Sequence, residues 1–125
     1  MKKVIIDRAM WNSGARLSEE SHLSNNYGQM CCLGFLGVAC GIEEDDLIDE
    51  AYPSLVKSSK WPKKLFQKER NYSFRNCNTS IIVLSWEGIF AELNDYKDID
   101  HATRESWITE GFKQILKREV VFIGE

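Results

Sequence analysis

Apolar and polar positions alternate along this chain with a changing period, and the period predicts its elements. Val4 to Trp11 reads as a short first helix, with Val4, Ile5, Ala9 and Met10 mostly on one side and Gly14 placed to stop it. Arg16 to Gly28 is polar, rich in Ser and Asn, and reads as a loop that contains His22. Met30 to Cys40 is the most apolar stretch, ended by Gly41. Wound as a helix, it places Met30, Gly34, Gly37 and Gly41 on one stripe and Phe35, Val38 and Ile42 on the next. A helix apolar on all sides belongs inside a domain. Each interior glycine costs roughly 1 kcal/mol against alanine, so this stripe predicts close approach of another backbone.

Downstream, Glu43 to Glu50 predicts a short acidic helix anchored by Leu47 and Ile48 and stopped before Pro53. Ser58 to Arg70 predicts a turn into a helix, with Ser59 near the cap, Pro62 in the first turn, and Leu65 and Phe66 facing inward. Asn71 to Asn78 reads as extended or loop. Ile81 to Leu84 is β-branched enough for a strand, whereas Ile82, Trp86, Ile89, Phe90 and Leu93 keep helical spacing, which favours helix from about Ser85 to Leu93. Asp100 suits an N-cap, followed by an apolar face of Ile108, Phe112, Ile115 and Leu116 with Lys117 and Arg118 at the C-terminal end. Val120 to Ile123 reads as a terminal strand. The expected architecture is α+β and helix-rich, a single compact domain over residues 1–125, built around a buried central helix (Met30–Cys40) with a few short strands.

Composition agrees with this and narrows the class. The chain has 125 residues, 43% hydrophobic and 28% charged, which is the make-up of one globular domain. Its net charge of −3 gives no general attraction for nucleic acid. Asp7, Arg8 and Asn12 interrupt what Lys2 and Lys3 could begin as a leader, and the run from Met30 to Ile42 falls short of the ~20 apolar residues that cross a bilayer. A cytoplasmic location with reduced thiols and no membrane partner is therefore expected. Cys31 and Cys32 are adjacent and share a helix with Cys40, a layout poor for disulfides and good for packing.

Four groups of residues carry candidate chemistry. Cys31 and Cys32 sit near a helix N-terminus, where the dipole lowers a thiol pKa, and His22 and His101 are the only imidazole bases. This is a weak catalytic alternative to small thiols filling a core, and the spacing does not fit a zinc site. From Lys57 to Arg75, seven basic residues (Lys57, Lys60, Lys63, Lys64, Lys68, Arg70 and Arg75) face one acid, Glu69, with Trp61, Phe66, Tyr72 and Phe74 interleaved. Basic groups hold phosphate and aromatic faces stack on bases. Lys57, Lys60, Trp61, Lys64, Arg70, Tyr72, Phe74 and Arg75 are accordingly the candidate ligand-binding set, and a solvated basic helix with its aromatics in the core is the plainer reading. The acidic run Glu43, Glu44, Asp45, Asp46, Asp49 and Glu50 suits a helix start better than a metal site; it could also pair with the basic segment of a neighbouring copy, as a homo-oligomer. Asn94-Asp95 reads as a helix-ending turn. No metal or cofactor is expected.

Three of these stretches together resemble a largely uncharacterised family of small tailed-phage and prophage proteins. They are Trp11 to Gly14, the run Met30-Cys31-Cys32-Leu33-Gly34-Phe35-Leu36, and Ala91-Glu92-Leu93-Asn94-Asp95, which are similar to that family's first helix ending in Gly, its Cys-Cys-Leu-Gly helix and its later Leu-Asn-Asp turn. Met30 stands where the family carries an aromatic residue, and the basic middle segment and the Val120 to Ile123 end do not align. The resemblance implies a shared fold and a phage origin, with the bacterial host cytoplasm as the setting. Small phage proteins without an enzymatic motif often act against host defences, by sequestering a nucleotide signal or binding a host protein. Three expectations follow in order: an anti-defence protein that binds a small phosphorylated ligand, a protein-binding inhibitor of a host factor, and a thiol-dependent enzyme.

Overall fold

A computed structural model describes residues 1–14, 16–17, 21–70 and 83–125. It is an α+β fold, but it begins differently from the periodicity reading. Lys2–Asp7 is a strand, β1, not the start of a helix, and Gly14 occupies a left-handed turn (φ +58°) rather than a helix end. Val4 and Ile6 are buried while Lys3 and Ile5 face out, the period of two that a half-buried strand requires. The β-branched run Val4-Ile5-Ile6 favours that geometry. Its partner lies at the far end of the chain, in β4 (Arg118–Ile123), and the two run parallel from Lys2 opposite Arg118 to Asp7 opposite Ile123. Everything between them serves as the crossover that parallel strands need.

The central helix forms as expected. Helix α1 spans Cys32–Ala39, and Cys32 through Gly37 are all buried. It ends in a full Schellman arrangement: Gly41 is left-handed (φ +89°), its N–H donates to Val38 O, and the Ile42 N–H donates to Gly37 O. The glycine stripe does two jobs. A Cβ on Gly34 would lie 1.8 Å from the carbonyl oxygen of Leu23, so the backbone contact is real. At Gly37 the neighbour is instead the Trp61 ring, 2.8 Å from a built Cβ.

The charged middle is less regular than its spacing suggests. The acidic run makes one 3-10 turn, Glu44–Leu47, with Leu47 buried. The helix expected from Ser58 to Arg70 reduces to another single turn, Lys63–Phe66, after which Lys68–Arg70 (β2) pairs antiparallel with Val83–Ser85 (β3). In a continuous helix, Lys60, Lys64 and Lys68 would stack at four-residue spacing, and like charges so placed are destabilising. Leu65 faces inward, but Phe66 is exposed, contrary to its expected place. Ile81, Ile82 and the stretch from Asn71 to Asn78 lie outside the described residues.

The C-terminal half follows its pattern closely. Helix α2 spans Trp86–Asp95 with Ser85 as N-cap, and Ile89, Phe90 and Leu93 point into the core. Helix α3 spans His101–Gly111, and the Asp100 carboxylate accepts from the Thr103 N–H at 2.7 Å. Its last turn, Phe112–Leu116, widens to π geometry and stops at left-handed Lys117. Phe90 and Phe112 pack edge to face, 4.9 Å between centroids. The buried apolar side chains form one cluster drawing on β1, α1, α2, α3 and β4. Among the described residues, no helix is long and apolar enough to cross a membrane.

Candidate functional site

The thiols come first, because their placement decides one expectation. Cys31 is the N-cap of α1 and Cys32 its first residue, and both are buried. Loss of water raises the Cys31 thiol to about 12, against smaller opposing contributions from the amides of Gly34 and Leu33. Burial raises Cys32 well above the ordinary thiol range too, and its Sγ lies 3.7 Å from the carbonyl oxygen of Phe90. A thiol held protonated and away from solvent is no nucleophile, so Cys31 and Cys32 leave the catalytic set. His22 reaches Cys31 through its backbone, the Cys31 N–H donating to His22 O, and His101 is an exposed residue at the start of α3.

What stands beside these thiols is Asn94, which with Asp95 ends α2 as its sequence suggests and does more besides. Asn94 lies in the last turn of α2 and is wholly buried. Its Oδ1 accepts from Trp11 Nε1 at 2.8 Å and from the Cys32 N–H at 2.9 Å. Its Nδ2 donates to Asn12 O, Ser21 Oγ and Asp95 Oδ1. One amide thus joins the loop after β1, the start of α1 and the end of α2. Arg104 of α3 completes the group, donating from Nη1 to the carbonyls of Leu93 and Asn94 at 2.7 and 3.0 Å. A buried guanidinium capping the carbonyl end of α2 is a favourable use of the helix dipole. Every donor and acceptor of the Asn94 side chain is engaged with the protein, which marks this cluster as a structural joint.

The binding candidates lie elsewhere and divide in two. Trp61 is corrected: its ring is 3% exposed, seated on Gly37, with Nε1 donating to Val56 O. It is a core residue that contributes only part of a groove wall, not an exposed face for stacking. Lys57, Lys60 and Lys64 are exposed, as are Lys63 and Lys68. Lys57, Lys63, Lys64 and Lys68 make no ion pair with any described residue, while Lys60 Nζ donates to Gly41 O. Arg70 ends β2, and Tyr72, Phe74 and Arg75 lie outside the described residues.

Three grooves bear on what this surface can take. One, of about 360 Å³, lies between the acidic run and the basic segment, with Glu43 and Asp46 opposite Lys57, Ser58 and Lys60. A second, of about 410 Å³, shares Val56, Lys57 and Ser58 and continues over Pro53 to Phe66 and Glu87. Phe66 supplies an exposed ring there, the role that sequence reasoning gave to Trp61. Glu87 is buried, with Oε1 accepting from the Ser54 N–H. The third and largest, about 680 Å³, runs along α2 past Ala91, Glu92 and Asp95 to Asp98, with Tyr52 and Tyr96 on its walls. Its three carboxylates outnumber its one ammonium, Lys97, and partial loss of water raises the Asp95 carboxyl. That groove repels anions and is separate from the basic surface.

Sequence reasoning missed Asn94 and Arg104 as a joint, and Phe66 as the open ring. The first had a signal: Trp86, Phe90 and Asn94 recur at four-residue spacing, which puts the amide on the buried face of α2. The chain matches no family model, no curated protein and no solved structure.

Proposed function

We propose that this chain is a non-catalytic phage accessory protein that holds a small phosphorylated, nucleotide-type ligand and so withdraws it from host defence. The observation that carries the ligand class is the groove in which Lys57 and Ser58 stand at one end and the exposed ring of Phe66 at the other. The Lys57 ammonium has no ion pair among the described residues and meets phosphate charge. The Ser58 oxygen accepts from the Lys60 N–H, which leaves its own proton to donate to a phosphate oxygen. Phe66 offers a face to a base. The phage setting and the anti-defence role rest on the Cys-Cys-Leu-Gly and Leu-Asn-Asp resemblance.

Calorimetry against a panel of linear and cyclic nucleotides tests the ligand class. Binding of at least one member, weakened by Lys57→Ala, is expected. Absence of binding across the panel at high micromolar concentration would sink the reading.

A protein-binding inhibitor of a host factor is the second reading. It is favoured by Leu55, an exposed apolar side chain that lines the same groove as the exposed acids Glu43 and Asp46. Capture of a host partner that is lost on charge reversal at Glu43 to Glu50, with no nucleotide bound, would replace the first reading with this one.

A further inference from the structure

Among the described residues, the sheet formed by β1 and β4 has two strands, and they are parallel. Parallel sheets are ordinarily larger and covered on both faces, so this one is incomplete by the usual rule. A strand without a neighbour presents a row of unpaired N–H and C=O groups. Among the described residues, the backbone from Lys2 to Ile6 makes no hydrogen bond outside its pairing with β4. The inner face, with Val4 and Ile6, is sealed against the core. The outer face carries Lys3, Ile5 and Asp7, and beside them Glu119, Val121 and Ile123. Ile5 is 53% exposed and Ile123 46%, an apolar stripe on an open sheet.

We propose that the free edge of β1 pairs antiparallel with β1 of a second copy of this chain, about a two-fold axis at Ile5. In that register Lys3 lies opposite Asp7 of the partner subunit, and the symmetry makes the same pair twice. Ile5 meets Ile5 of the partner subunit between them, while Val4 and Ile6 stay sealed in the core of their own chain. Opposite charges and β-branched pairs directly across an antiparallel ladder are the contacts that stabilise it. The pattern Lys-Val-Ile-Ile-Asp is therefore self-complementary when reversed.

Other registers are worse for stated reasons. A slip of one residue sets outward positions against inward ones and turns Ile6 to solvent. Shifting the axis to Lys3 or to Asp7 places like charges face to face. The free edge of β4, reversed about Val121, sets Glu119 against Ile123 and matches nothing. Lysines on an edge strand normally discourage pairing; here the reversed strand supplies a carboxylate for Lys3. Lys2 falls opposite Arg8, just past the strand, whose charge is already held by Glu105 through contacts of 2.7 and 2.9 Å. The product is a four-stranded sheet, β4-β1-β1-β4, with closed two-fold symmetry.

Sedimentation velocity and light scattering on the full chain test this directly. A dimer is expected. Lys3→Asp and Asp7→Lys should each weaken it by about tenfold, since each turns two attractive cross-strand pairs repulsive. The double variant, carrying both substitutions, restores complementarity and should recover the dimer. Hydrogen exchange on the unsubstituted chain adds a measurement that needs no variant: edge amides between Lys3 and Asp7 gain protection as concentration rises. A monomer at every concentration overturns the proposal. So does a dimer indifferent to either single substitution, a double variant that does not recover, or edge amides whose exchange ignores concentration.

Discussion

The joint around Asn94 and the basic stretch from Lys57 to Arg70 are built on opposite principles. The joint is dry: Asn94, Cys32 and Arg104 are buried, the Asn94 amide serves five partners, and Gly34 lets the Leu23 backbone come within contact distance. The basic stretch is wet, with a one-turn helix, a three-residue strand and exposed lysines of which Lys57, Lys63, Lys64 and Lys68 form no ion pair among the described residues. Both regions carry polar side chains, so polarity alone does not separate structure from function. What separates them is satisfaction: in the joint the Asn94 amide and Arg104 Nη1 are engaged, while Arg104 Nε has no partner among the described residues. A buried polar group whose bonds are all made inside the chain holds elements together, whereas an exposed charge with none made inside is available to a ligand. The cysteines belong to the first region and Lys57 to the second.

The comparison is sharpest where it predicts unequal losses. Asn94→Ala should be the most damaging change, because it leaves the Trp11 indole N–H and the Cys32 N–H unpaired in the core. A loss of about 4 kcal/mol is expected in urea unfolding. A variant that unfolds like the parent would remove the joint from the account. Gly34→Ala should cost about 3 kcal/mol, since its Cβ would meet a backbone oxygen that cannot step aside as a side chain does; the melting temperature reports it.

Alkaline unfolding probes the same region through its thiols. Burial raises Cys31 from 9.0 to about 12, so the folded chain keeps a proton that the unfolded chain releases. The resulting stability is complete below pH 9 and declines as pH rises from 9 to 12, by about 1.4 kcal/mol per pH unit for one thiol. A stability curve flat across that range would show the thiol in contact with water. Lys57→Ala should have the smallest effect on folding, within ~0.5 kcal/mol of the parent. It should nonetheless weaken nucleotide binding by about tenfold, the share of one charge-assisted contact. Equal effects on folding and binding would erase the distinction between the two regions.

Legibility followed the same division. Helix α1, its Gly41 stop, the Asp100 cap and the apolar faces of α2 and α3 were readable because each rests on local spacing or a cap residue. The stretch from Val4 to Trp11 fits two periods, since Val4, Ile5, Ala9 and Met10 satisfy a helical face as well as Val4 and Ile6 satisfy a strand face. Only a partner more than a hundred residues away decides between them. The helix expected from Ser58 to Arg70 failed for a related reason: β3 offered Lys68 to Arg70 a ladder, and stacked lysines gave the helix little to set against it. Among the site candidates, Lys57, Lys60 and Lys64 were readable as exposed charge. Trp61 and Phe66 exchanged roles because an aromatic residue fits core and surface equally well until its neighbours are known.

By itself, then, the sequence determined the central apolar helix, the glycines that let other groups approach it, and a basic surface in a chain of net negative charge. These follow from residue type and short-range spacing. Tertiary structure alone decided that the first segment is a strand, that Asn94 and Arg104 lock four parts of the chain together, and that Phe66 rather than Trp61 faces outward. Each of those outcomes depends on which distant group occupies the neighbouring space, and no local pattern encodes that.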